Sequence, residues 1–102
     1  MSRLVEFLVR RVVVEGDSMT PAFAAGDRLT AVRRWRPVRV GDVVVARDPR
    51  GGGRWLLKRC VALDGTRLEL RGDNPAASTD SRQFGPVDRK AVKYLIVGAK
   101  GH

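Results

Sequence analysis

Trp55-Leu56-Leu57-Lys58-Arg59-Cys60-Val61-Ala62-Leu63-Asp64-Gly65-Thr66-Arg67-Leu68-Glu69-Leu70-Arg71 is the stretch whose reading decides the fold. Asp64-Gly65 joins two runs rich in apolar residues. It is the strongest short hairpin signal in the chain, because the turns that match strand twist need positive φ. After it, Arg67 to Arg71 alternates charged and apolar residues, the period of a half-buried strand. Before it, Trp55 to Leu63 reads as a longer strand. Alternation places Leu56, Lys58, Cys60 and Ala62 on one face, and Leu57, Arg59, Val61 and Leu63 on the other. Lys58 therefore shares its face with apolar neighbours. Two readings stand side by side: an edge lysine that guards against aggregation, or a buried lysine kept for its chemistry. Cys60, on the same face, reads as a small apolar core residue.

The same grammar extends outward. Gly41-Asp42 makes a turn before Val43-Val44-Val45-Ala46, which reads as a buried strand. Asp48 to Gly53 reads as an exposed hairpin connection. Arg28 to Val32 alternates after a Gly26-Asp27 turn. Arg3 to Val14 is open between a short helix and a strand, with Val12-Val13-Val14 favouring strand. Downstream, Gly72 to Gly85 is a polar loop and Val92 to Val97 a last strand. Short strands with turn signals between them predict an all-β fold, a small folded sheet or partly open barrel. At 102 residues, one domain over 1–102 is expected.

Composition narrows the partners. Twenty Lys and Arg against eleven Asp and Glu give a formal charge of +9. Arg33, Arg34, Arg36 and Arg39 cluster around Trp35, a mixture that suits a phosphate backbone or a lipid headgroup layer. No nucleic-acid motif accompanies them, so solvated side chains are favoured and no obligate nucleic-acid partner is expected. The single cysteine, Cys60, excludes an internal disulfide and fits a reducing compartment. No apolar run approaches the roughly 20 residues that span a bilayer. Leu4 to Val9 is short, broken by Glu6 and stopped by Arg10-Arg11; it is expected to dock as a terminal element, not to act as a secretory signal. A cytoplasmic protein, with peripheral membrane contact open, is the expectation.

The exclusions on chemistry are sharper. The one histidine is His102, at the end of the sequence, so no histidine base for a triad is expected. One Cys and one terminal His make no metal cluster, and no phosphate loop is present; no cofactor is expected. Gly16-Asp17-Ser18-Met19-Thr20-Pro21 puts a hydroxyl on a constrained turn, with Gly16 free in φ and Pro21 restraining Thr20. The same residues also make an ordinary surface turn. If Ser18 is a nucleophile, its base must be a lysine made neutral by burial. Of Lys58, Lys90, Lys93 and Lys100, only Lys58 lies within an apolar strand.

These residues resemble a known family. Gly16 to Pro21 followed by Gly26-Asp27 is similar to the nucleophile box of type I signal peptidases. Gly41-Asp42-Val43-Val44 resembles their next box, and Lys58-Arg59 with Asp64-Gly65 resembles the box of the general-base lysine. Gly72-Asp73-Asn74, then Ser78-Thr79-Asp80-Ser81-Arg82, then Gly85-Pro86-Val87, resembles the last. Four matches in the family's order cover most of the chain. The resemblance implies a Ser-Lys endopeptidase on an all-β fold, acting on a precursor with an N-terminal leader peptide. It implies that Ser18 is the nucleophile and its N–H an oxyanion donor, that Lys58 is the base, and that Ser78 orients Lys58. It further implies that Asp80 and Arg82 pair in support, and that Met19 and Pro21 contact substrate. Many members carry a hydroxyl where this chain has Gly16, which removes one implied oxyanion donor. Length and the wording of the Gly72–Val87 loop are most similar to the bacterial maturation protease of nickel-type superoxide dismutase, a minimal catalytic core without spanning helices. Two other readings remain in view. A self-cleaving repressor shares the dyad and fold, but the 17 residues before Ser18 are expected to be too few for a DNA-binding element and cleavable linker. A basic all-β binding module would leave Ser18 and Lys58 inert.

Overall fold

The computed structural model describes residues 8–101. Most of the Leu4–Val9 run, and His102, lie outside the described residues. The chain forms one seven-stranded antiparallel sheet: β1 (Val9–Val13), β2 (Arg28–Arg33), β3 (Val43–Arg47), β4 (Trp55–Asp64), β5 (Arg67–Arg71), β6 (Val87–Asp88) and β7 (Val92–Lys100). Its order is β1-β2-β7-β3-β4-β5-β6. The last strand thus inserts between β2 and β3, joining the N-terminal pair to the rest. The all-β expectation holds.

Register slips at Thr30/Ala31, Val45/Ala46 and Cys60/Ala62 interrupt the ladders. Bulges of this kind bend and twist strands, and the sheet is curled accordingly. Apolar side chains fill both faces. Val44, Ala46, Cys60, Leu68, Leu70 and Leu95 belong to one cluster, whereas Ala31, Val45 and Tyr94 pack with Val12, Leu57 and Ile96 in another. That explains why 43–46 is a continuous apolar run: β3 is central and buried on both sides.

Strand β4 extends one residue beyond the predicted Trp55–Leu63, and Arg67–Arg71 falls where predicted. Of the segment Arg3–Val14, left open between helix and strand, Val9–Val13 is strand, and residues 3–7 lie outside the described residues. The segment read as one polar loop, 72–85, is more ordered than that. It holds a 3-10 turn at Pro75–Ala77 and a one-turn helix, α1 (Ser81–Phe84). Asp80 caps α1, and Gln83 returns a bond to the Asp80 N–H, a reciprocal capping box. Strand β6 was not legible because two residues carry no period.

Candidate active site

Ser18 follows β1 on a turn. Val14 is clipped on both sides by the next turn: its N–H donates to the Asp27 carbonyl and its carbonyl accepts from Gly26 N–H, both at 2.9 Å. Gly16 has φ +71°, and Thr20–Pro21 is cis. The Ser18 side chain is half-buried, and its N–H donates to no acceptor among the described residues. Ser18 and Lys58 line one cavity of about 340 Å³, walled by Val12, Val45 and Leu57.

Lys58 is 5% exposed. Its Nζ donates to Ser78 Oγ at 2.9 Å, and Ser78 Oγ donates to Asp80 Oδ2 at 2.7 Å. Asp80 is fully buried. It also accepts from Gly72 N–H at 2.8 Å and from Arg82 Nε at 2.9 Å. Burial is the largest influence on Lys58 and pushes its pKa below the ordinary lysine value; the Asp80 charge opposes this, and Arg82 and Arg50 add to it. At Asp80, burial alone would raise the carboxyl. The Arg82 guanidinium, the Ser78 hydroxyl and the Gly72 N–H outweigh it and hold the group well below the usual carboxylate range. Asp80 is therefore ionised, Ser78 is held as its donor, and the Ser78 lone pair faces Lys58.

The structure thus brings together Ser18, Lys58, Ser78, Asp80 and Arg82. Met19 is placed differently from the expected substrate contact: it is 1% exposed, its side chain turned inward. Pro21 is exposed on the turn, and neither residue lines the cavity of Ser18 and Lys58.

Three contributors went unnoticed in sequence. Asn74 ties the loop to the serine turn: its N–H donates to the Ser18 carbonyl at 2.8 Å, and its Nδ2 to Asp17 O (3.2 Å) and Thr20 Oγ1 (3.0 Å). Arg59 grips Asp73 through both carboxylate oxygens at 2.9 Å, and reaches Gly41 O. Gly72 lies where a Cβ would meet Ser78 Oγ at 2.3 Å and the Ser18 carbonyl at 2.7 Å. The motif letters Gly-Asp-Asn were visible; the contacts that require them were not. The connection read as exposed is so at 49–53, but Asp48 is 5% exposed and pairs with Arg50 through both oxygens. Its acidity is strengthened to a pKa of about 2, chiefly by the Arg50 hydrogen bond.

A curled all-β sheet carrying a serine turn and a buried lysine in one groove is the frame of a signal peptidase-like hydrolase. The chain belongs to the peptidase S26 family of signal peptidases, whose model matches residues 2–74. It is 34% identical to the mitochondrial ATP-independent inner membrane protease subunit 1a of Arabidopsis thaliana, over 113 aligned positions that cover 85% of this chain and 67% of that protein. It is 28% identical to the mitochondrial inner membrane protease subunit 1 of Schizosaccharomyces pombe, covering 90% and 73%. The human subunit 1 is 26% identical, covering 89% and 69%. These relatives support the family and a peptidase; they lend nothing to the narrower resemblance to a nickel superoxide dismutase maturation protease. Among the described residues, no helix is long and apolar enough to cross a membrane.

Proposed function

We propose that the chain is a serine endopeptidase that removes an N-terminal leader from a precursor protein, with Ser18 as nucleophile and Lys58 as general base. The observation that carries this reading is Lys58 itself: buried, depressed in pKa, and bonded to Ser78 in the groove it shares with Ser18. A neutral lysine takes the Ser18 hydroxyl proton as Oγ attacks the scissile carbonyl. The carbonyl oxygen gains negative charge, and the unengaged Ser18 N–H is the donor placed to receive it. The Lys58 ammonium then returns its proton to the leaving amine, and the acyl group stays on Oγ. Water, deprotonated by Lys58, releases the acid and regenerates the serine. Ser78 orients the base through its bond to Lys58 Nζ, and Asp80 and Arg82 link to Lys58 by hydrogen bonds through Ser78. A cytoplasmic setting belongs to the proposal as well, and rests on Cys60 alone.

The test is processing of leader-bearing precursors, the nickel superoxide dismutase precursor among them, by wild type, Ser18→Ala and Lys58→Ala. Both variants are expected to lose cleavage while keeping the wild-type circular dichroism spectrum. Cleavage by Lys58→Ala at the wild-type rate would overturn the dyad.

A further inference from the structure

Five cations converge on a hollow that the chemistry at Ser18 and Lys58 does not use. Arg33 and Arg34 at and just past the end of β2, Arg47 at the end of β3, Lys90 in the 3-10 turn Arg89–Ala91 and Lys93 near the start of β7 line a cavity of about 410 Å³. No Asp or Glu lines it. None of the five makes an ion pair among the described residues, whereas Arg36, Arg50, Arg59, Arg71 and Arg82 each pair with a carboxylate. The Arg33–Arg39 cluster therefore divides: Arg36 is tied to Asp42, while Arg33 and Arg34 face the hollow. Like charges gathered without counter-charge repel, and an anionic ligand relieves that repulsion.

Trp55 connects this hollow to the groove, for it lines both. Its ring lies 5.0 Å from the Arg47 guanidinium and 5.4 Å from Lys93 Nζ, and the residue is 44% exposed. Arg47 opposes Trp55 across the ladder; two residues further along, Val45 opposes Leu57, and both wall the groove. From Trp55 to Lys58 is three residues of strand, about 10 Å at 3.3 Å per residue. An extended peptide lying over Ser18 and Lys58 crosses that distance in about three residues.

We propose that this hollow is a specificity subsite for an acidic segment of the polypeptide substrate, with Asp or Glu about three to five residues from the scissile bond. This rests on the peptidase reading above. A polypeptide fits better than a lipid surface because the hollow runs into the groove through Trp55, so a chain held in one enters the other.

The experiment uses the full chain as Ser18→Ala, which binds without turnover, and Trp35→Phe, which leaves Trp55 the only indole. Titration with hexaglutamate is expected to change Trp55 emission, with affinity falling as salt is added. Arg47→Glu with Lys93→Glu should weaken binding about tenfold or more, since each reversal replaces an attraction by a repulsion. Arg39→Glu with Arg67→Glu makes the same change in net charge away from the hollow and should leave binding near its starting value. Equal loss in that control, or no change in emission, would overturn the subsite. So would tight binding of phosphatidylglycerol vesicles that hexaglutamate does not displace. The titration is separate from cleavage, so its failure is distinguishable from a failure of wild type to process a precursor.

Discussion

Replacing Gly72 with alanine adds one methyl group where the Ser18 turn and the groups that hold Lys58 meet. That carbon would lie 2.3 Å from Ser78 Oγ, 2.7 Å from Ser78 Cβ and 2.7 Å from the Ser18 carbonyl oxygen. Ordinary contact between heavy atoms is about 3.5 Å, so something must retreat by about 1 Å. Neither neighbour is free to do so alone. Ser78 Oγ is fixed between Lys58 and Asp80, and the Ser18 carbonyl is held by Asn74 N–H. Gly72 itself is anchored by its bond to Asp80. Overpacking of this kind costs about 1–3 kcal/mol of stability. A misplacement of about 1 Å at reacting groups costs on the order of 100-fold in rate. The assay pairs urea denaturation with kcat/KM on a leader-bearing precursor, at a temperature where both proteins are folded. Gly98→Ala is the control, since its nearest neighbour would be Thr30 Cβ at 4.0 Å; its stability should stay within about 0.5 kcal/mol of wild type. A Gly72→Ala protein with wild-type kcat/KM and stability would refute the geometry described here.

Four further outcomes follow from these contacts. Because burial lowers the Lys58 pKa, kcat/KM should rise with pH through a single ionisation that lies below the ordinary lysine value, read from a pH–rate profile. Burying a cation costs stability below that pKa, so Lys58→Met should lose cleavage yet unfold at a urea concentration no lower than wild type at neutral pH. The Asp48 carboxyl is depressed in the fold, so its contribution to stability is full above pH 4 or so and fades as pH falls towards about 2; Arg50→Ala should flatten that part of the stability–pH curve. Asn74→Ala removes the side-chain bonds to Asp17 O and Thr20 Oγ1 but keeps the backbone bond to Ser18 O, so kcat should drop with a stability loss of only about 1 kcal/mol by denaturant titration.

Strand existence was legible because the core is aliphatic and the turns are marked by Gly-Asp and Asp-Gly pairs. Alternation placed Lys58 and Cys60 on one face of β4 and left open whether the lysine is an edge guard or buried; the structure buries both. What alternation could not give is β7 between β2 and β3, since pairing between distant segments leaves no local mark. The loop 72–85 was read by composition as polar and therefore open. Its polar residues in fact satisfy one another: Asp80 takes bonds from four groups, Gly72, Ser78, Arg82 and the helix it caps, without a charge left over. Asp48 misled for the same reason. A carboxylate two residues before an arginine, with Pro between, looks like a surface turn, and only the fold shows it buried.

The family model stops at residue 74, yet the groups that fix Lys58 lie beyond it, at Ser78, Asp80 and Arg82. The two halves of the site are joined by one short path. Asn74 holds the Ser18 carbonyl from one side of the loop, and Ser78 holds Lys58 from the other, with Gly72 packed against both. Ser18 stands on the turn after β1 and Lys58 lies within β4, strands that are not neighbours in the sheet, so no ladder between them sets their separation. The loop does, because Arg59 of β4 pins Asp73 near its start, and Asp80 farther along, held by Arg82, accepts from Gly72 N–H and closes the loop on itself. The 72–85 loop is thus what holds the Ser18 turn against Lys58, and under the proposed dyad a methyl group at Gly72 should hurt cleavage more than the loss of any single surface charge.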